Sequence, residues 1–144
     1  MGSVSVDQIL ITPLRRIHLS GGDVLHGMKR DDPGFIDFGE AYFSIIDEGA
    51  IKAWKRHLRM TLNFVVPVGS VHFVFVNELG SRREEVIGME VGRYVRLTVP
   101  PGIWFGFKGL FSPSSMLLNV ADIPHDPAEI ERKGLEEIAF DWGK

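Results

Sequence analysis

The short stretch from Lys52 to His57 concentrates side chains that could do chemistry. We expect Lys52, Lys55 and His57 to face one side of a β-strand, with Trp54 and Arg56 on the other; Lys55 and His57 are two residues apart, the spacing that puts strand side chains on one face. If the shared face lines an interior, the two ammonium groups need an anionic partner, because burying an unpaired charge is costly. The stretch then indicates a site for an anion or a sugar, and a solvated outer face is the alternative.

Proton transfer is a second possible role for these side chains. Lys55 could act as a base only if its pKa falls several units from about 10.4. A neighbouring Lys52 and a dry interior would both lower it. His57 is the other candidate base, and a Lys52 that stays protonated would suit the binding of an anionic group.

The composition narrows the classes of protein that need to be considered. The 144 residues are 44% hydrophobic and 24% charged, with a net charge of -3, which is typical of one folded domain over residues 1–144. This charge gives no general attraction for nucleic acid or an anionic membrane, and no apolar run approaches the ~20 residues of a membrane span. The absence of cysteine excludes disulfides and thiolate sites. With no export signal, we expect a cytoplasmic protein.

Short runs of β-branched and aromatic residues between glycine and proline turns must position these side chains. They predict an antiparallel sandwich or barrel rather than alternating βαβ units. A C-terminal helix is expected over Pro127–Lys133, with Asp126 as its N-cap. Asp7–Leu19 could form an edge strand, and Gly21–Gly39 is expected to be a long loop. The predicted strands are Ala41–Ile46, Ile51–Trp54, Val65–Val68, Val71–Val76, Tyr94–Val99, Trp104–Phe107 and Met116–Val120.

The spacing from Gly49 to Gly69, together with Pro100-Pro-Gly102, resembles the metal-binding pattern of the cupin family. Of the four ligand positions in that pattern, only the one at His57 keeps a metal-binding residue. Lys55, Leu62 and Phe105 occupy the other three, and none of these side chains suits a metal. The resemblance therefore implies an all-β cupin or jelly-roll barrel that binds no metal.

Within the cupins, the chain resembles the nucleotide-sugar epimerase branch typified by dTDP-4-dehydrorhamnose 3,5-epimerase. The likeness rests on three segments: Lys52–His57, Pro100–Leu110 and the acidic, proline-containing stretch Asp122–Glu129 followed by Phe140-Asp-Trp142. It spans roughly residues 38–142. It implies a nucleotide-activated sugar as the binding partner and no cofactor, in the synthesis of deoxysugars for surface polysaccharide.

Members of that branch abstract the proton beside a keto group and return it to the opposite face of the sugar. A histidine paired with an aspartate is the base, a lysine stabilises the enolate and a tyrosine is the acid. Carried to this chain, the resemblance implies Lys55 or His57 as the base, with Lys52 and Asn63 polarising the carbonyl. No tyrosine lies in Asp122–Glu129, where His125 is the nearest proton donor.

The remaining candidates have both a functional and a structural interpretation. Arg59 could bind a diphosphate, although arginines are also common on exposed surfaces. His72 and Asn63 could contact the ligand or be polar strand residues, and Asn119 is a further candidate for substrate binding. His125 could be the acid or a turn residue.

Two alternatives to an epimerase remain open at this stage. One is a cupin that binds a sugar nucleotide without catalysis, and the other is a sugar ketoisomerase, which shares the enolisation step. We also expect a homodimer, because cupin barrels have exposed sheet edges that pairing can cover. The apolar stretch Val4–Ile11 is the candidate for a strand donated to the second subunit.

Overall fold

The computed structural model describes residues 4–143, and nearly all of their regular structure is antiparallel β-sheet. The segments rich in β-branched and aromatic residues form the strands, as the sequence predicts. Short 3₁₀ turns lie at Val6–Gln8, Pro127–Glu129 and Leu135–Glu137. The strands of these residues are β1 Leu10–Pro13, β2 Arg16–Ile17, β3 Val24–Leu25, β4 Glu40–Asp47, β5 Ile51–His57, β6 Leu62–Val68, β7 Ser70–Val76, β8 Arg82–Gly88, β9 Val95–Val99, β10 Trp104–Gly109, β11 Ser114–Ala121 and β12 Ile130–Arg132.

Two five-stranded sheets form the barrel. The first has the order β1-β9-β6-β11-β4, the second has the order β12-β5-β10-β7-β8, and β2 pairs only with β3. Alternate side chains of the strands point between the sheets, where Phe64 packs on Phe73 and Phe105 with ring centroids 5.1 and 5.5 Å apart. This arrangement confirms the predicted all-β cupin or jelly-roll fold.

The N-terminal segment packs on its own chain. Val6 and Ile9 are buried in the core, and β1 pairs with β9 at the edge of the first sheet. The expected edge strand over Asp7–Leu19 is therefore present, but it ends at Pro13. The donation of Val4–Ile11 to a second subunit stays a prediction: Val6 and Ile9 pack in the chain's own core, whereas Leu10 and Ile11 are 42% and 41% exposed.

The predicted long loop, Gly21–Gly39, is irregular apart from β3 and is held on the first sheet by Arg96. This arginine is fully buried and donates hydrogen bonds to the carbonyl oxygens of Gly27 and Pro33, at 2.9 and 2.7 Å. Its guanidinium also lies 3.4 Å from the Asp32 carboxylate. A buried charge needs such partners, and in meeting them Arg96 fixes the loop.

The predicted C-terminal helix over Pro127–Lys133 is wrong. Asp126 acts as the expected cap and accepts a hydrogen bond from Ala128 N, but a single 3₁₀ turn forms before the chain extends into β12. β12 pairs with β5, and Glu129 turns inward to 2% exposure. These tertiary contacts outweigh the local helix signals, which carry only a weak preference.

Beyond β12 the chain packs against the second sheet from outside. Trp142 and Trp54 are both buried, with ring centroids 5.6 Å apart. The indole N–H of Trp54 donates to the carbonyl of Leu135 at 3.2 Å. In the part of the chain that the structure describes, no helix has the length and apolar character needed to cross a membrane.

Candidate functional site

A cavity of about 430 Å³ opens between the two sheets, and its two sides differ in chemistry. The second sheet and the segment that follows it supply the cationic groups, whereas the first sheet supplies neutral polar groups. No carboxylate is among the described lining residues, so the cavity has a positive potential that suits an anionic ligand. The polar lining comprises Lys52, Lys55, His57, Arg132 and Lys133 on the cationic side and Tyr42, Ser44 and Asn119 opposite; the apolar lining includes Leu62, Phe64, Phe105, Phe107 and Leu117.

A β-bulge in β5 brings Lys52 and Lys55 to the same face. In the pairing with β10, Phe105 lies opposite Lys55 and Phe107 opposite Lys52, so that one extra residue of β5 is accommodated between them. Ordinary alternation would place two residues three apart on opposite faces. Because of the bulge, both lysines line the cavity, while Trp54 packs on Trp142 outside.

Lys55 is a half-buried cation among other cations. Among residues 4–143, no carboxylate forms a salt bridge with its ammonium group. Burial lowers the pKa of Lys55, and repulsion from Arg132 and Lys52 lowers it further, against the attraction of Glu129. An anionic ligand would relieve this repulsion, so the geometry favours the binding of negative charge beside Lys55.

His57 is buried and paired with a carboxylate that the sequence analysis did not identify. Its Nδ1 lies 2.5 Å from Oε2 of Glu129, and the His57 ring stacks on that of Phe105. Oε1 of Glu129 accepts hydrogen bonds from the backbone N–H groups of Arg59 and Met60, both at 2.9 Å. With Nδ1–H donated to the carboxylate, Nε2 is the unprotonated nitrogen, as a base requires.

The electrostatics of this pair favour an anionic carboxylate and a neutral imidazole. Burial lowers the pKa of His57 more than the hydrogen bond that its Nδ1–H donates to Glu129 raises it. Burial alone would raise the pKa of Glu129, but the hydrogen bonds from His57, Arg59 and Met60 outweigh it and hold the value below its usual range. A neutral imidazole beside a fixed carboxylate is ready to accept a proton at neutral pH.

Tyr42 and Asn119 form the polar part of the opposite wall. Nδ2 of Asn119 donates to the hydroxyl oxygen of Tyr42 at 3.1 Å. Both line the cavity from the first sheet, whereas His57 lines it from the second. The cavity therefore has a candidate base on one side and a hydroxyl on the other.

Four of the residues named from the sequence lie outside this cavity. Arg59 is exposed and binds Asp126, and His125 lies exposed just before the 3₁₀ turn Pro127–Glu129. His72 faces outward and contacts Glu84 at 2.8 Å, which agrees with its structural interpretation.

Asn63 is buried on the side of the first sheet that the loop covers. Its amide binds Thr98, Arg96 and the carbonyl of Gly34. The expectation that it polarises a substrate carbonyl does not fit this position, because its side chain does not line the cavity and both its oxygen and its nitrogen make hydrogen bonds under the loop.

Glu129 and Tyr42 are the important residues that sequence reasoning missed. Glu129 lies in the stretch where the sequence predicts a helix, and Tyr42 lies far in sequence from Asp122–Glu129, where the resemblance places the acid. The one usable signal for Glu129 was that a buried histidine base needs a carboxylate to hold its tautomer.

The donor set of the cavity does not fit a metal. His57 supplies one imidazole, and its Nδ1 is already occupied by Glu129. Leu62 and Phe105 line the cavity at two of the positions where the cupin pattern has ligands. Among residues 4–143, no group of three or more histidine, cysteine, aspartate or glutamate side chains could hold a metal ion.

Comparison with known proteins identifies the family. The chain is similar to a dTDP-sugar isomerase from Desulfovibrio desulfuricans G20, with 37% identity, a TM-score of 0.90 and coverage of 95% of this chain and 92% of that one. This fold and site define a nucleotide-sugar cupin. The chain belongs to the RmlC-like cupin family of dTDP-sugar isomerases and epimerases.

Two more distant likenesses agree with this assignment. A probable low-salt glycan biosynthesis epimerase, Agl13 of Haloferax volcanii, is 28% identical over 113 residues, which cover 74% of this chain and 69% of that protein. The fold is also that of the 3,5-epimerase RmlC from Legionella pneumophila, with a TM-score of 0.78, 17% identity and coverage of 98% and 81%. No protein-family model matches the chain.

Proposed function

We propose that the protein exchanges the proton beside the keto group of a nucleotide-linked 4-keto-6-deoxy sugar, as an epimerase of deoxysugar synthesis. The observation that carries this proposal is the buried His57–Glu129 pair on the wall of a cationic cavity. The similar proteins from Desulfovibrio and Haloferax, described as a sugar isomerase and an epimerase, support the same class of reaction. A role in surface polysaccharide synthesis and a cytoplasmic location remain predictions.

The proposed reaction assigns one task to each wall. Nε2 of His57 accepts the proton of the C–H bond, whose electron pair forms the enolate double bond while the carbonyl oxygen becomes an anion. Protonated Lys55 stabilises this oxygen, and Glu129 stabilises the imidazolium. Tyr42, on the opposite wall, then gives its hydroxyl proton to the other face of the ring. This assignment replaces His125 as the acid and gives the base role to His57 rather than Lys55.

The other cations suit the nucleotide part of the substrate. Lys52 and Arg132 also line the cavity, and the described hydrogen bonds join neither of them to His57 or Glu129, whereas the ammonium of Lys133 lies 4.7 Å from the ring centroid of Trp104, which does not line the cavity. A diphosphate carries its charge outside the reacting ring, and arginine and lysine are the usual groups that bind it. We therefore assign Lys52 and Arg132 to the diphosphate.

Solvent deuterium incorporation, read by mass spectrometry across a panel of nucleotide 4-keto-6-deoxy sugars, tests the proposal. Incorporation at carbon 3 or 5 with inversion there supports an epimerase. Incorporation with movement of the carbonyl to carbon 3 would instead identify a ketoisomerase, which begins with the same enolisation. Tight nucleotide binding without incorporation from any sugar would contradict catalysis and indicate a binding protein.

We predict that the purified protein contains no stoichiometric transition metal. Lys55, Leu62 and Phe105 stand where the cupin pattern places ligands, and leucine and phenylalanine donate no lone pair. Elemental analysis should find well below one equivalent of zinc, iron, nickel or manganese, and chelators should leave exchange unchanged. Near-unit metal that is lost together with activity on chelation would contradict this.

We also predict a homodimer, and we propose the exposed edge strand β4 as its interface. β4 is an edge strand of eight residues, and its outward Phe43 and Ile45 are 62% and 54% exposed beside Leu118 and Met116 of β11. A long apolar edge strand invites pairing with another chain. Light scattering should give about 32 kDa, twice the 16.2 kDa of one chain.

The variant Phe43→Glu should shift this dimer to monomer, because it buries a charge in the paired surface. Val91→Glu is the matched control, since Val91 is fully exposed and lies outside β4 and β11. A native protein that remains a monomer at micromolar concentration would contradict the prediction.

A further inference from the structure

We propose that Asn119 is a positioning residue that fixes the Tyr42 hydroxyl as a hydrogen-bond donor directed into the cavity. The catalytic role of Asn119 in this inference rests on the proposed function, whereas the orientation of the Tyr42 hydroxyl follows from hydrogen bonds alone. Asn119 is 2% exposed and lies between the backbone of β6 and the side chain of Tyr42 on β4. Its role differs from the direct substrate contact expected from the sequence.

The backbone of Asn63 fixes which way the Asn119 amide points. The N–H of Asn63 donates to Oδ1 of Asn119 at 3.2 Å. A backbone N–H can only donate, so the oxygen of the amide must face it. The Asn119 NH₂ group therefore faces the hydroxyl oxygen of Tyr42, at 3.1 Å. The orientation follows from chemistry, because the reversed amide would place two donors against each other.

The side chain of Asn63 is itself fixed by hydrogen bonds under the loop. Its side-chain oxygen accepts hydrogen bonds from the Thr98 hydroxyl at 2.6 Å and from Arg96 at 3.2 Å. Its side-chain nitrogen donates to the carbonyl of Gly34 at 3.2 Å. The buried network under the loop thus supports the Asn119 amide, which gives Asn63 a supporting role instead of contact with the substrate.

The polarity of this network decides what Tyr42 can do. The NH₂ group of Asn119 can only donate, so the Tyr42 oxygen accepts from it and the hydroxyl hydrogen must point elsewhere. Among residues 4–143, no acceptor takes that hydrogen, and Tyr42 lines the cavity. The hydroxyl is therefore free to donate to a bound sugar. When the enolate carbon takes this proton, the O–H bond breaks, a C–H bond forms and the phenolate left behind keeps the Asn119 hydrogen bond.

The variant Asn119→Asp reverses this polarity with almost no change in shape. The new carboxylate would accept hydrogen bonds from both the Asn63 N–H and the Tyr42 hydroxyl, which turns the Tyr42 proton away from the cavity. We expect kcat for deuterium exchange to fall about 10- to 100-fold while KM changes less than about threefold. Asn119→Ala, which removes the donor without adding charge, should cause a smaller fall in kcat.

Tyr42→Phe separates positioning from a general structural effect. This variant alone should lower kcat by about 10²-fold or more, and adding Asn119→Asp to it should cause no further loss, because Asn119 acts through the missing hydroxyl. Additive losses would overturn the proposal, since they would mean that Asn119 acts on the substrate or the fold directly.

Phenolate absorbance gives a readout that needs no activity. The chain has two tyrosines, so Tyr42→Phe assigns the signals, and burial raises the pKa of the other, Tyr94. In Asn119→Asp the Tyr42 phenolate should form at higher pH than in the native protein, because a negative charge now adjoins it. An unchanged titration curve would overturn the proposal. A native protein that exchanges no deuterium would contradict the proposed function alone, since this comparison still decides how Asn119 orients Tyr42.

Discussion

Replacing His57 with asparagine should slow deuterium exchange by about 10²- to 10⁴-fold, the range typical for losing a general base. His57 is the buried imidazole of the cavity, and its Nδ1 is bound to Glu129, so that Nε2 is left to accept the proton. Asparagine keeps a polar group that can still bind Glu129 but has no basic nitrogen. Nucleotide affinity, measured by calorimetry with dTDP, should change little, because the cations that suit the diphosphate remain.

The pH dependence of the native enzyme should identify the same residue. A base must be neutral to act, and burial lowers the pKa of His57 below the ordinary value of about 6.5. The acid limb of the pH–rate profile should therefore have its midpoint below pH 6.5. Glu129 acts in the opposite direction, since its hydrogen bond raises the pKa of His57.

Glu129→Gln consequently has a signature that distinguishes positioning from unfolding. It should lower kcat, because the imidazolium loses its carboxylate, and it should move the acid limb to still lower pH. A disrupted site would expose His57 and move that limb up towards 6.5. His125→Asn is the matched control for His57→Asn, since His125 is exposed and outside the cavity, and it should leave the rate within about twofold. If both histidine variants exchange deuterium at the native rate, His57 is not the base.

The strands of the barrel could be predicted because their signals are local. Runs such as Val71–Val76 combine β-branched and aromatic residues with alternation and a nearby glycine turn, and each formed a strand. β8 was missed because Arg82–Gly88 is mostly charged and is half-exposed on an edge. The C-terminal helix failed for the opposite reason. Its cap and proline are real local signals, but pairing with β5 is a long-range contact that they do not report.

The site could be predicted only where it lies within one strand. The sequence predicts that Lys52, Lys55 and His57 lie on one strand. Their shared face, however, depends on a β-bulge, and no residue type in that stretch predicts a bulge. Glu129 meets His57 across 72 residues of sequence, and Tyr42 meets Asn119 across 77. Such pairings follow from strand order, so Arg59, His72 and His125 could be set aside only after the sheets were known.

The role of positive charge in the cavity can be tested most directly at Lys55. Its ammonium lies half-buried beside Lys52 and Arg132, and its pKa is lowered by burial first and then by their repulsion. Such a cation gains most when negative charge develops next to it, as it does on an enolate oxygen. Since His57 has the carboxylate partner that a base needs, we expect Lys55 to act while protonated.

Lys55→Met keeps most of the volume of the side chain and removes the charge, so kcat for exchange should fall about 10²- to 10³-fold while dTDP affinity changes less than about tenfold. The native rate should also decline at high pH, from below the usual lysine value of about 10.4, because the lowered pKa removes the ammonium earlier. Lys29→Met, which removes one exposed charge outside the cavity, is the control and should leave both quantities unchanged. If dTDP affinity drops while turnover at saturation persists, Lys55 binds phosphate instead. If neither quantity moves, the enolate is stabilised by another group and the assignment of Lys55 to the reaction is wrong.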